Sequence, residues 1–465
     1  MSRTTATLDP TATEPSAADV PALLPVVGAT TTVPLVDGTS RVYANLDCAA
    51  SAPALESVAE RVAEVLPLYA SVHRGAGYLS QVCTGLYESA RATVARFVGA
   101  REDDVAIITR NTTDALNLLA GCVPDGGRVL HLDMEHHANY LPWTQGATHD
   151  RATLVAAGPT VAASLAEIEA ELARRPYALL ALTGASNVTG ETLPVEEVVR
   201  IAHAAGARVV VDGAQLVPHR GFSLTATGAD YVAFSGHKTY APYGAGALVG
   251  RRDWLDAGRP HLAGGGAVRD VRPDRTVWLP APARHEAGSP NVIGAVALAQ
   301  ACQTLAELPE GALAAHEDTL RTRLVDGLEA LDGVRVLRLW ADATDPVGVV
   351  TFTVPGHDPG LVAAYLSAEH GIGVRDGRFC AHPLLARLGA PQGAVRASVG
   401  VGTTSEAVDR LVDALRRYLD QGPGARYAVE DHCWTVADDT RPLPDVRGLG
   451  ELPPTAAEAC GPALD

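Results

Sequence analysis

The chain has 465 residues, with 37 Lys and Arg set against 54 Asp and Glu for a formal net charge of −17. That length excludes a single small module and leaves room for two or three domains around a large core. The acidic balance argues against a nucleic-acid partner, because such binding is driven by Lys and Arg meeting phosphates.

The opening stretch "MSRTTATLDPTATEPSAADVPALLPVVG" carries acids and prolines where a secretory signal would place basic residues and an unbroken apolar core. Residues 1–38 therefore read as a disordered leader. No apolar run reaches the roughly 18 residues a membrane span needs, so no membrane partner is expected. Seven cysteines are scattered without a CxxC pair, which fits a reducing cytoplasm better than a disulfide framework or a zinc ribbon.

From about residue 100 to 250, short apolar runs alternate with longer helical stretches: "VAIIT", "RVLHL", "ALLALTG", "ARVVVDGAQ" and "YVAFSGHK". Unbroken Val, Ile and Leu runs suit strands buried on both faces, as in a parallel sheet covered by helices. In such α/β domains ligands sit at the carboxyl ends of the strands. Polar residues gather at those ends: Thr112 and Thr113, His136, Asn187, Asp212 and Lys238. The glycines of "PYGAGALVG" and "LAGGGA" lack a dinucleotide-fold context and read as turns or close packing.

The segment from about 310 to 420 looks like a smaller α+β domain, with strand-like "VGVVTFTV" and "AVRASVGV". Its last helix is expected to open on a capping box from Thr403 to Glu406. Residues 421–465 are rich in Pro and Gly and read as an extension wrapped on the surface or partly disordered. His432 and Cys433 within it are assigned a structural role.

Lys238 is the only lysine; the other 36 of the 37 basic residues are arginines. Arginine replaces lysine as a surface cation, but its guanidinium cannot serve as a neutral amine or form a Schiff base. An aldehyde cofactor held in that way needs a lysine, an anion site for its phosphate, and a carboxylate facing its pyridine nitrogen. Thr112 and Thr113, where a strand gives way to a helix, offer the anion site, and Asp212 the carboxylate. In "HLDMEHHANYLPW" the spacing of His131 to the Glu135–His136 pair misses the HxxEH pattern. His136 is read as a ring stacked on the cofactor, and no metal site is assigned.

The ordered motifs "LDCAASAP", "VHRGAGYLS", "NTTDALNL", "MEHHANYLPW", "SNVTGE", "VVVDGAQLVPH", "FSGHKTYAPYGAGAL", "EAGSPN", "GIGVRDGRFCAHPLL" and "VRASVGVGTTSEAVDRLV" resemble the cysteine desulfurase and selenocysteine lyase group of class V pyridoxal-phosphate enzymes over about residues 40–420. The resemblance implies a fold-type I α/β architecture. A large cofactor domain with a mostly parallel seven-stranded sheet would span 39–305, its first segment, 39–75, lying near the small domain, and a small α+β domain would span 306–420. Pyridoxal 5'-phosphate would be bound covalently by Lys238, faced by Asp212, stacked by His136 and approached at its phenolic oxygen by Gln215. Thr112, Thr113, Ser235 and His237 would hold its phosphate. Ser289 would reach the cofactor of the neighbouring subunit, implying a homodimer with shared sites. Arg396 would clamp the carboxylate of L-cysteine, with His73, Arg74, Asn187 and Arg375 on the substrate side.

A lone cysteine is more often a small buried hydrophobe than a nucleophile. The resemblance places Cys380 where desulfurases carry the thiolate that takes sulfur as a persulfide, releasing alanine and passing sulfur to an acceptor protein. Arg378 and Phe379 stand where similar desulfurases often have histidines. The alternative implied by the same family is a carbon–sulfur lyase, epimerase or aminotransferase of specialised metabolism.

Overall fold

The computed structural model describes residues 19–73, 75–145 and 150–443. Helix α1 (Glu56–Val65) buries Val58, Val62 and Val65, a stripe at helical spacing, and α2 (Tyr78–Phe97) follows it. Seven strands then alternate with helices: β1 (Asp104–Thr109), α3 (Thr112–Ala120), β2 (Val129–Leu132), α4 (His137–Thr144), β3 (Ala152–Val155), α5 (Val161–Arg174), β4 (Leu179–Thr183), α6 (Val195–Ala204), β5 (Arg208–Asp212), β6 (Tyr231–Ser235) and β7 (Gly246–Arg251). They form one sheet in the order β1-β7-β6-β5-β4-β2-β3. All run parallel except β7, which is antiparallel to both of its neighbours.

Alternation along the strands feeds two cores, one on each face of the sheet. Val105, Ile107, Leu179, Ala181 and Val210 join one cluster, while Ala106, Leu180, Leu182, Val211 and Phe234 join the other. Burial on both faces explains why these strands read as continuous apolar runs. Two strands escaped that reading. β3 is a half-exposed edge strand, and β7 begins at Gly246, where an added Cβ would lie 2.6 Å from the Phe234 carbonyl oxygen.

Helix α7 (Val292–Ala306), buried over most of its surface, packs on α1 and α2. The smaller unit contains α8 (Ala312–Glu329), β8 (Arg335–Val336), β9 (Val349–Thr353), α9 (Pro359–His370), β10 (Arg375–Gly377), α10 (His382–Arg387), β11 (Ala394–Ser398) and α11 (Ser405–Gln421). Its antiparallel sheet runs β8-β9-β11-β10. Leu320 and Leu324 of α8, Val362 and Leu366 of α9, and Val408 and Leu411 of α11 close over Val350, Phe352, Val395 and Ala397. The cap of α11 lies one residue later than expected. Thr404 accepts from Ala407 N at 3.4 Å, because Thr403 Oγ1 already accepts from Gly400 N at 2.9 Å.

The N-terminal segment differs from its reading as a disordered leader. Residues 19–38, assigned to the leader, lie on the body of the protein: Leu23 N and Leu24 N donate to Val401 O, Val26 and Leu35 are buried, and Thr32–Pro34 pairs with Ser40–Val42. Their apolar side chains find a surface that the sequence does not display. Residues 1–18 lie outside the described residues. In the extension, β12 (Tyr427–Glu430) and β13 (Cys433–Val436) form a hairpin turned by Asp431 and His432, at φ 46° and 65°. Glu369 of α9 anchors it by accepting from Gly424 N, Ala425 N and the Tyr427 hydroxyl. Residues 444–465 are outside the described residues.

Candidate active site

A cleft of about 240 Å³ opens at the carboxyl ends of the parallel strands and is closed on one side by the smaller unit. Twelve of the expected residues line it: Thr112, Thr113, His136, Asn187, Asp212, Gln215, Ser235, His237, Lys238, Arg375, Cys380 and Arg396.

One end is built to hold an anion. Asn111 caps α3 by accepting from Asp114 N at 2.9 Å. Ser235 Oγ, at the end of β6, accepts from Thr112 N at 2.8 Å and lies 2.7 Å from Thr112 Oγ1. Thr113 is exposed at the same helix end, and His237 faces it from the turn after β6. Hydroxyls and first-turn N–H groups at a positive helix end are the donor set a phosphate requires.

Lys238 stands in the turn that follows β6, where Lys238 N and Thr239 N both donate to Ser235 O. That turn closes because residue 236 is glycine: a Cβ there would lie 2.6 Å from Ala245 O. The Lys238 Nζ makes no hydrogen bond to a described residue. Burial, helped by the Arg396 charge, pushes the amine down to about 8, while Asp212, Cys380 and Asp47 oppose that change. The buried Asp212 carboxylate accepts from Ala214 N at 2.9 Å. Burial raises it, while that bond and Lys238 pull it back.

His136 caps the start of α4, and its Nδ1 accepts from Ala138 N at 3.0 Å, which leaves the ring proton on Nε2. Burial first, then Lys238, pushes this imidazole down to about 3, so it is neutral at physiological pH. Gln215 donates from Nε2 to Ala49 O at 2.8 Å, and its buried Oε1 has no partner among the described residues. An unpaired buried amide oxygen, an unbonded amine, a neutral ring and a carboxylate thus converge around space for a flat, phosphorylated aldehyde.

On the opposite side, Arg396 Nη1 donates to Asn187 O at 2.9 Å and Nη2 to Asp47 Oδ1 at 3.1 Å. Its guanidinium lies 5.1 Å from the centre of the Phe379 ring. Phe379, one of the two departures from the desulfurase pattern, is therefore a seat for the Arg396 guanidinium. The segment that carries Cys380 is fixed through its backbone: Asn187 Nδ2 donates to Phe379 O and His137 N to Cys380 O, each at 2.8 Å. Phe379 and Cys380 both occupy the left-handed region, at φ 51° and 52°. Two consecutive strained residues turn the thiol into the cleft at a cost of about 1 kcal/mol or more each.

Three expected residues are not gathered there. His73 stands outside the cleft, exposed, with Nε2 held 2.9 Å from Glu88 Oε1. Ser289 is exposed and does not line the cleft of its own chain. Arg74 lies outside the described residues. Sequence reasoning missed Asp47 and Asn111. Asp47 is the one charged residue in the otherwise apolar "LDCAASAP", and Asn111 precedes a helix as a cap residue should. The acids beside His136 are engaged elsewhere. Asp133 pairs with Arg387, and the buried Glu135 accepts from Asn139 Nδ2 and Thr183 N.

The Aminotransferase class-V family pattern matches residues 44–411. A probable cysteine desulfurase of Vibrio cholerae is 37% identical over 395 residues, which cover 83% of this chain and 95% of that protein. A cysteine desulfurase of Dickeya dadantii is 38% identical over 383 residues, or 80% and 91% of the two chains. Among solved structures, the S-sulfonic acid form of an Escherichia coli cysteine desulfurase superposes with a TM-score of 0.73 at 34% identity, covering 81% of this chain and 95% of that one. The apo cysteine desulfurase of Thermococcus onnurineus gives 0.75 at 33% identity, covering 86% and 99%. A cleft with one amine, one carboxylate and one thiol, on a fold-type I framework shared with these enzymes, settles the relationship: the chain belongs to the class V aminotransferase family, within its cysteine desulfurase group.

Proposed function

We propose that this protein is a pyridoxal-phosphate-dependent cysteine desulfurase that moves the sulfur of L-cysteine onto Cys380 and releases L-alanine. The observation that carries this reading is the convergence of Lys238, Asp212, Arg396 and Cys380 on one cleft. Thr112, Thr113, Ser235, His237 and the start of α3 would hold the cofactor phosphate, Gln215 its phenolic oxygen and Asp212 its ring nitrogen, with His136 as the flat wall. Bound there, pyridoxal phosphate supplies an aldehyde and an electron-withdrawing ring that makes the substrate Cα–H acidic and accepts the electron pair released.

The chain's own groups do the rest. Arg396 binds the α-carboxylate through its planar fork and so fixes which bond at Cα faces Lys238. The Lys238 amine, lowered toward neutrality, carries the proton away from Cα and later returns one. Sγ of Cys380, as thiolate, attacks the substrate sulfur. An S–S bond forms as the Cβ–S bond breaks, the pair from that bond stays on the three-carbon fragment, and protonation of the fragment yields alanine. The product left on the enzyme is a persulfide for an acceptor protein. Ser289, exposed on its loop, is assigned to the cofactor phosphate of a second subunit in a homodimer. The six cysteines among the described residues are all free, which supports work in a reducing cytoplasm.

The test is product identity. Incubated with L-cysteine and a reductant, the enzyme is expected to release alanine and sulfide in equal amounts, and Cys380→Ala to release neither. Pyruvate and ammonia in their place would make the protein a lyase. Borohydride reduction of the cofactor-loaded protein should label Lys238 and no other position.

A further inference from the structure

The register of β10 against β11 sets Arg375 directly opposite Arg396. Directly paired residues of antiparallel strands share a face, and like charges so placed repel. Lys238 adds a third cation to the same cleft. Asp47 is the anion that feels all three, and its placement is fixed by the backbone: Asp47 bridges to Ser398, Ser398 N donates to Leu46 O, and Ala49 N donates to Ser398 Oγ. The short run that carries Asp47 is thus stitched to the strand that carries Arg396.

What Asp47 touches is informative. A carboxylate grips arginine side-on through Nε and Nη2 together. In Arg396, Nη1 is taken by Asn187 O, Nη2 by Asp47, and the buried Nε has no partner among the described residues. One of the two donors needed is therefore open, and the other is held by a carboxylate of the chain itself. The Asp47 side chain keeps 24% of its surface exposed against 4% for Arg396, so the carboxylate can swing toward water while the guanidinium cannot. Burial also raises the Asp47 carboxyl in spite of the nearby cations, so its position is not one of maximal comfort.

We propose that Asp47 is an internal stand-in for the substrate carboxylate, one that holds Nη2 of Arg396 between turnovers and yields it to an incoming α-carboxylate. The inference rests on reading Arg396 as the carboxylate clamp. By competing for one donor, Asp47 weakens every carboxylate by the same factor. Simple carboxylates are kept out, whereas an α-amino acid gains the further interactions of its amine. Asp47 in this sense sets the affinity a carboxylate ligand must exceed to occupy the cleft.

The test uses the cofactor-loaded enzyme and propionate, a carboxylate without an amine, titrated by calorimetry. Asp47→Asn should bind propionate about tenfold more tightly than the unaltered protein, because the repelling, competing charge is gone and the buried guanidinium is left with neutral acceptors only. Cysteamine, which has the amine and thiol but no carboxylate, should gain nothing. Equal or weaker propionate binding overturns the proposal, as does a parallel gain for cysteamine. If Asp47→Asn does not fold, Asp47→Ser carries the same expectation. Propionate binding does not depend on turnover, so failure to convert cysteine would sink the desulfurase reading and leave this test standing.

Discussion

Lys238 is expected to be a liability to the fold before it is an asset to the chemistry. Its amine ordinarily titrates at 10.5, and burial in the cleft lowers it to about 8. A lysine lowered in the folded state binds its proton less well there than in the unfolded chain, so stability rises with pH between the two values. Below about pH 8 the whole penalty is present; above about 10.5 it has gone. That difference is worth about 3 kcal/mol. Lys238→Met, which keeps the length of the side chain and removes the charge, should therefore stabilise the cofactor-free protein by about that amount at pH 7. The gain should shrink through pH 8–10 and vanish near 10.5. Urea unfolding of both cofactor-free proteins across this range measures it. If the two proteins are equally stable at pH 7, or if the gap fails to close with pH, the amine is not desolvated as the cleft implies. The same lowering leaves roughly one amine in ten neutral at pH 7, against fewer than one in a thousand for an ordinary lysine. The group most costly to bury is thus the one prepared to carry a proton.

Other substitutions test the framework around the cleft. Arg91 and Glu286 form a two-pronged pair at 2.6 and 2.8 Å, and Glu286 also accepts from Ile108 N and the Tyr87 hydroxyl. Glu286→Ala should cost about 3 kcal/mol of unfolding free energy in urea, since it leaves the mostly buried Arg91 guanidinium with only the exposed Glu88 as counter-charge and strands Ile108 N. Phe379→Ala should raise KM for L-cysteine and lose about 3 kcal/mol of stability, because it removes both a buried ring and the seat under Arg396; an unchanged KM would refute the seat. Thr404→Ala should cost about 1 kcal/mol as a lost helix cap, and Thr403→Ala should not unwind the start of α11. Circular dichroism with thermal melts separates the two.

How much of this was legible in the sequence depends on whether a residue's neighbours are near it in the chain. The five strand ends could be read because burial on both faces writes an unbroken apolar run, and the polar residue that ends each run falls in the crevice by the geometry of a parallel sheet. Thr112, His136, Asn187, Asp212 and Lys238 all obey that rule. The edge strand β3 writes no such run, because its side chains are half exposed. The hairpin of β12 and β13 turns on Asp431 and His432 in left-handed conformations without the Asn-Gly or Asp-Gly signal such a turn usually carries. Arg375, Arg396 and Cys380 could be placed only by resemblance, since what joins them to the strand ends is a register between β10 and β11 and a loop pinned by Asn187 and His137. Asp47 lay beyond both methods. Its role comes from a bridge to a residue 351 positions away, a pairing that neither periodicity nor spacing encodes. A cleft assembled from one regular sheet and several long-range stitches yields its first half to pattern and its second half to structure, and in this protein the second half supplies the two arginines and the thiol that complete the lining.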